Sequence, residues 1–197
     1  CKIKLAKTRV YLSTSEFRAT FYLTKTKGET MRIFQLVAAC GMCVGLFGAD
    51  LEGYYMTHKG ESGRQSIVEF FQKDGKYYCY GFANVDGSAP KKDVNNENPA
   101  LRERFDKGSV FVYNLVRDGK SDVFKNGKVY NFDAGKEYYA KVTLKGDTLE
   151  LRGSIDKSGL MGETKIWKKL SDKEVAPYLS QKPDFSVVEA SLKDIKQ

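Results

Sequence analysis

From Gly53 onward the chain alternates short apolar runs with turn residues at the spacing of β-hairpins. Residues 53–57 (GYYMT), 66–72 (SIVEFFQ) and 77–85 (YYCYGFANV) read as the first three strands, with Asp74-Gly75 turning between the second and third. A polar stretch over 86–107, holding Pro90 and Pro99, reads as a long loop with a helical turn in it. Strands resume at 109–117 and turn at Asp118-Gly119. Residues 121–125 and 128–132 flank Asn126-Gly127, the strongest two-residue hairpin signal in the chain. Residues 137–145 and 148–155 flank Gly146-Asp147, and 163–170 closes the series. That is eight or nine strands without a helix long enough for a parallel crossover. Such a meander must close into a barrel or stack as a sandwich to manage its edges. The expectation is an all-β chain whose residues 50–170 form an up-and-down antiparallel β-barrel of about eight strands.

Alternation orients some of these strands. Tyr138, Ala140, Val142 and Leu144 share one face against Lys141, Thr143 and Lys145, and Leu149 and Leu151 oppose Glu150 and Arg152. Two strands are apolar on both faces. Tyr78, Tyr80 and Phe82 oppose Cys79, Gly81 and Ala83, while Phe111 and Tyr113 oppose Val110, Val112 and Val116. Both faces there need cover, from a cavity, from the C-terminal segment or from a partner. After Leu170 the pattern becomes helical. Ser171 and Glu174 fit a capping box, Pro177 limits that helix, and Ser186 with Glu189 repeats the device. Val188, Leu192 and Ile195 fall on one helical face, so 171–197 is expected to be a short helical appendage lying on the barrel.

The first 49 residues pose a separate question. Residues 33–49 (IFQLVAACGMCVGLFGA) carry no charge, follow Met31-Arg32, and end in small residues before Asp50. A basic start, a short apolar run and a small-residue exit predict a signal peptide over 31–49, cleaved next to Asp50. An uncleaved anchor and lipidation at Cys40 are the alternatives. Residues 1–30 then read as an upstream extension outside the mature protein. Cys1, Cys40 and Cys43 belong to these segments, leaving Cys79, which alone makes no internal disulfide.

Charge changes the picture little. The formal net charge is +8, but residues 1–49 supply +6 of it and the rest of the chain only +2. A nucleic-acid partner is therefore not expected, nor is stable membrane insertion after cleavage. Catalytic motifs are missing. The sole histidine, His58, stands beside Lys59 and Gly60 and reads as a solvated loop residue. Zinc ligands and a Cys/His nucleophile have no sequence support. Residues 93–98 (DVNNEN) offer oxygen ligands, but Asn98 stands where a calcium loop needs glycine, and Arg104 where it needs the bidentate glutamate. No phosphate-cradling loop appears. The expectation is no enzyme, no cofactor and no metal. Arg102, Arg104, Lys91, Lys92 and Lys107 form either a basic rim around the long loop or, the preferred reading, a solvated surface.

Aromatic residues are the positive clue. Ten tyrosines, eight phenylalanines and Trp167 lie after residue 49. A small barrel with an aromatic interior holds apolar or amphipathic ligands, and the same rings also serve as core filling. The candidate contacts are Tyr55, Tyr80, Phe82, Phe111, Tyr113, Tyr130 and Tyr138, of which Tyr80 and Phe82 have an alternative outward orientation beneath the C-terminal helix. Cys79, between Tyr78 and Tyr80, reads as a structural thiol.

Several short motifs occur in a fixed order: Gly53-Tyr54-Tyr55, Asp74-Gly75-Lys76 with Tyr80-Gly81, and Asn98-Pro99-Ala100-Leu101-Arg102 followed by Gly108. Asn126-Gly127-Lys128-Val129-Tyr130, Gly135-Lys136-Glu137-Tyr138, Leu149-Glu150-Leu151-Arg152-Gly153 and Gly162-Glu163-Thr164 with Trp167 complete it. The combination resembles the exported bacterial family known as domain of unknown function twenty-one forty-seven, over roughly 50–170. Tyr55 and Phe124 stand where that family usually has Trp, and Phe132-Asp133-Ala134 where it has an Asp-Pro pair. The resemblance implies a lipocalin-like, calycin-type barrel in the periplasm of a Gram-negative bacterium or outside it, and no reaction. Three readings follow: a carrier or sensor of a small hydrophobic or amphipathic ligand, an envelope protein-protein interaction module with a solid barrel, and a hydrolase or isomerase with an unrecognised site.

Overall fold

A computed structural model describes residues 50–60 and 63–195. The upstream extension, the expected signal peptide and the cysteines within them lie outside the described residues.

Eight strands run in chain order: β1 (Gly53–Met56), β2 (Ser66–Lys73), β3 (Lys76–Asn84), β4 (Val110–Arg117), β5 (Val123–Asn131), β6 (Lys136–Lys145), β7 (Thr148–Ser154) and β8 (Gly162–Lys169). Each pairs antiparallel with its neighbours, and β8 returns to β1 through Tyr55 opposite Lys169 and Met56 opposite Lys168, closing the barrel. That seam is two residue pairs long, because β1 is only four residues. The expected up-and-down barrel is the one observed.

One expected turn is absent. The Asn126-Gly127 pair lies inside β5, where the register steps from Phe124 opposite Val142 to Gly127 opposite Ala140. Asn126 adopts φ 64° as the extra residue of a β-bulge. The preference of Asn-Gly for left-handed backbone is met by a bulge as well as by a hairpin, so the count is eight strands and not nine. A Cβ on Gly127 would stand 2.6 Å from the Leu115 side chain and 2.9 Å from the Tyr113 carbonyl oxygen. The missing side chain is what lets β4 and β5 approach. The Asp74-Gly75 hairpin does form, with φ 50° and 74°.

Further bulges explain the strands that are apolar on both faces. Register steps make Phe82 an extra residue of β3 against β2, so Phe82 and Ala83 both turn outward. Two steps along β4 turn Phe111 and Val112 inward together, and send Val110 and Tyr113 outward.

The apolar residues divide into two cores. Inside the barrel, Leu51, Phe70, Tyr77, Phe124 and Leu149 pack with the buried thiol of Cys79. Outside, the C-terminal segment covers β1–β4. It comprises α1 (Asp172–Val175), a 3-10 stretch (Ala176–Gln181) and α2 (Phe185–Ser191). Val175 and Val188 seal Ile67, Phe71, Tyr80, Phe82 and Val110, with Leu192 and Ile195 at the margin. The first capping box forms as expected: the Ser171 N–H donates to Glu174 Oε2 at 2.9 Å. The second cap is displaced by two residues. Asp184, extended after Pro183, accepts from the Ser186 N–H at 2.8 Å and starts α2 at Phe185.

Candidate ligand-binding cavity

Antiparallel order puts the β1–β2, β3–β4, β5–β6 and β7–β8 connections at one end of the barrel. At the other end the turns are short and Leu51 is fully buried, with the Tyr55 hydroxyl donating to the Leu51 carbonyl at 3.1 Å. The first end is hollow. A cavity of about 1220 Å³ occupies it and opens to solvent between the loops.

Its floor is apolar, built from Val68, Phe111, Val129, Leu151 and Trp167, with the Phe111 and Trp167 rings 6.1 Å apart. Above the floor the wall turns polar. Along β8 the inward positions read Glu163, Lys165, Trp167 from rim to floor, and Lys165 forms an ion pair with Glu163. On β2, beyond β1, the Ser66 hydroxyl donates to Asn84 Oδ1 at 3.0 Å. Trp167 is only 3% exposed, and its indole N–H has no hydrogen-bond partner among the described residues. His58 is half-buried at the same level, its Nδ1 likewise unpartnered among them. Burial lowers the pKa of this imidazole, and the Lys165 ammonium lowers it further. The collar therefore offers a neutral imidazole and an ion-paired lysine above an aromatic bed.

The long β3–β4 loop is anchored to this rim. The Asp93 carboxylate is fully buried and accepts from Arg104 at 2.9 Å, from the Asn96 amide at 2.6 Å and from the Tyr130 hydroxyl at 2.8 Å. The oxygen-rich segment at 93–98 thus spends its buried carboxylate on a guanidinium. Burial and the bond to Asp93 push the Tyr130 phenol up to about 12. Arg104 also reaches Asp194 at 3.4 Å, tying the loop to the C-terminal segment. On the far side the loop lies against the β5–β6 turn, where a Cβ on Gly135 (φ +66°) would fall 1.9 Å from the Asn95 carbonyl oxygen. Only glycine fits that contact.

The model of a family described as "Uncharacterized protein conserved in bacteria (DUF2147)" matches residues 53–169. The chain belongs to this family. Among solved structures, it is similar to protein HP1028 from the human pathogen Helicobacter pylori, which is described as belonging to the lipocalin family. The two are 42% identical with a TM-score of 0.69, over 74% of this chain and 99% of that one. No curated protein matches. The lipocalin-like barrel implied by the sequence motifs is therefore this family member's fold.

The seven candidate aromatics separate by face in this DUF2147 barrel. Phe111 and Tyr138 line the cavity, whereas Tyr130 borders its rim but packs against the outer core. Phe82 borders it, but the ring packs outward, 6.0 Å from Tyr54. Tyr55 lies in the solid core. Tyr80 and Tyr113 face outward beneath the C-terminal segment, Tyr80 donating to Glu69 and Tyr113 to Glu137. Burial and these carboxylates raise both phenol pKa values. The β4 bulges are what remove Tyr113 from the interior, and unbroken alternation along 109–117 would have hidden them. The floor and collar residues Val68, Val129, Leu151, Lys165 and Trp167 lie outside that set of seven. Trp167 and Lys165 share the period-two inward face of β8, a signal available in the sequence. His58 is corrected from a solvated loop residue to a half-buried wall residue, because the loops of the open end enclose it. Lys91, Lys92 and Lys107 do border the opening, whereas Arg102 and Arg104 are committed to the Asn96 carbonyl and to Asp93.

Among the described residues no three His, Cys, Asp or Glu side chains gather as metal ligands. No described helix is long and apolar enough to cross a membrane. Cys79 is fully buried in the barrel core, and burial raises its thiol pKa well above the ordinary value.

Proposed function

We propose that this protein is an exported, non-enzymatic carrier or sensor that holds a small hydrophobic or amphipathic ligand in the open half of its barrel. The carrying observation is the cavity of about 1220 Å³, apolar at Trp167 and Phe111 and polar at His58, Lys165 and Ser66. That volume exceeds the roughly 300 Å³ at which small-molecule sites begin. Its gradient suits a molecule with an apolar body on the floor and a polar or anionic head at the collar. The apolar run at 33–49, with its small-residue exit before Asp50, supports export to the periplasm or beyond. The family likeness and the lipocalin-family neighbour agree with a binding barrel. A solid barrel would have favoured the envelope interaction module, and the cavity argues against that reading.

The test is native mass spectrometry of protein from its own periplasm, followed by titration with a fluorescent fatty-acid analogue. The expected outcome is a retained small molecule and saturable uptake of the probe, weakened at least tenfold by Trp167→Ala in a protein that stays folded. A bare protein mass together with no probe uptake would overturn the proposal.

A further inference from the structure

The open end of the barrel is bordered by apolar side chains that nothing in the described structure covers. The β7–β8 connection, residues 155–161, carries Ile155, Leu160 and Met161 at 63%, 82% and 62% exposure, and the β3–β4 loop adds Val94 at 62%. Ile155, Met161 and Val94 also line the cavity. A soluble protein scatters single apolar residues over its surface, but a set of them around one opening marks a contact surface.

The tip is held in this state. Asp156 accepts from the Met161 N–H at 2.7 Å and from the Leu160 N–H at 3.1 Å, and Ser158 donates to it as well. From the other side Arg152 donates to the Gly159 carbonyl at 2.7 Å and the Leu160 carbonyl at 3.1 Å. The loop's backbone is thus tied at both polarities while its large apolar side chains project into solvent. These bonds oppose a collapse of the tip into the cavity.

Charge indicates what the tip meets. Six cations border the opening: Lys59, Arg64, Lys91, Lys92, Lys107 and Lys165. The acids there are Asp106, Asp133 and Glu163. Arg64 pairs with Asp106, Lys92 with Glu103 and Lys165 with Glu163. Lys59, Lys91 and Lys107 have no ion-pair partner among the described residues, and exposed Lys157 at the apolar tip has none there either. Lysine is depleted at protein-protein interfaces and well suited to anionic headgroups. Apolar side chains beside flexible ammonium groups match the layering of a lipid surface, where chains lie beneath phosphates.

We infer that the open end of the barrel docks onto an anionic lipid surface, with Leu160 and Met161 entering the interface and Lys91 and Lys107 meeting the headgroups. The cavity then opens toward the bilayer, which is where a poorly soluble amphipathic ligand is found. This goes beyond the carrier reading and is separable from it, because the apolar tip and the lysines are on the surface whatever the cavity holds.

The experiment is co-sedimentation of the protein, as purified from expressing bacteria, with phosphatidylglycerol vesicles and with phosphatidylcholine vesicles. Variants carry the same N-terminal segment as the parent, so its contribution cancels. The expected result is binding to the anionic vesicles that falls with added salt and is weak on the zwitterionic ones. Lys91→Gln with Lys107→Gln should reduce it on the order of 25-fold, about fivefold for each lysine neutralised. Leu160→Asp with Met161→Asp should abolish it. Leu160, Met161 and Lys91 are exposed and Lys107 is half-buried without an ion pair among the described residues, so the variants should melt close to the parent. No sedimentation with anionic vesicles, or sedimentation that both double variants leave unchanged, would overturn the inference. So would a dimer in sedimentation velocity that Leu160→Asp with Met161→Asp dissociates, since a second copy would then be what covers the tip. Probe uptake measured without vesicles reports separately on the carrier reading. Uptake without vesicle binding sinks the docking surface alone, and vesicle binding without uptake sinks the carrier alone.

Discussion

The two ends of the barrel use the same eight strands to opposite effect. At the closed end short turns and Leu51, just ahead of β1, seal a core in which Tyr55, Phe70 and Phe124 are buried almost completely. At the open end the β1–β2, β3–β4 and β7–β8 connections are longer, the inward residues include Gly81, Gly153 and Lys165, and the space they leave is not refilled. Ring size is not what separates them, because Trp167 and Phe111 belong to the hollow half. The difference is that small and charged residues at the inward positions of the upper strands prevent the rings below from being capped. Close packing in the lower half fixes the barrel, and this rigidity lets the upper half remain open.

The largest effect should come from the closed end. The Phe124 ring packs edge-on to Tyr77 at 4.9 Å, with the Arg117 guanidinium 4.7 Å from its centre. Phe124→Ala should cost about 3–5 kcal/mol in urea denaturation. Phe111→Ala should cost less than half of that, since one side of its ring already borders the cavity, yet it should weaken uptake of an apolar probe. Equal losses at the two positions would mean that the ends are packed alike, and the comparison would fail.

A smaller effect separates the inner wall from the outer face. Glu69 accepts from the Tyr80 hydroxyl and from Lys182 at 2.8 Å, which fastens the C-terminal segment over β2 and β3. Tyr80→Phe removes a bond to a charged acceptor and should cost about 1.5–3 kcal/mol. Probe uptake should stay at the parental level, because Tyr80 faces away from the cavity. Loss of uptake in a folded Tyr80→Phe variant would show that the outer core shapes the inner wall.

How much of this was legible follows from the same division. Tyr138, Ala140, Val142 and Leu144 alternate without interruption, and the inward face of β6 was readable directly from them. The Ser171–Glu174 box and the Val188, Leu192 and Ile195 face were equally plain, because capping and helical periodicity are local. Bulges were not. Phe82, Phe111 and Asn126 are each an extra residue, recognisable only against the partner strand, and a single uncounted residue reverses every side chain beyond it. That is why Tyr113 was expected inside and lies outside, and why Asn126-Gly127 reads as a turn. The environment of His58 depends on loops distant in sequence, so its neighbours gave no hint of it.

The subtlest consequence concerns that histidine. His58 is the sole imidazole in the chain and stands in the polar wall of the open end, with Lys165 near enough to disfavour its protonated form. Its folded pKa lies below the ordinary histidine value of 6.5. The unfolded chain therefore binds more protons through that range. The stabilising contribution of neutral His58 is present above pH 6.5 and is lost as pH falls through the folded value. Because the ring is only half-buried, the change in stability should be small, and NMR titration of the single imidazole is the sensitive measurement. The expected midpoint is below 6.5 in the free protein. It should rise when a fatty-acid carboxylate is bound, since a negative charge at the collar favours imidazolium. Lys165→Met should raise it without ligand. A midpoint at or above 6.5 in the free protein, unmoved by Lys165→Met, would put His58 back in open solvent and remove it from the cavity wall.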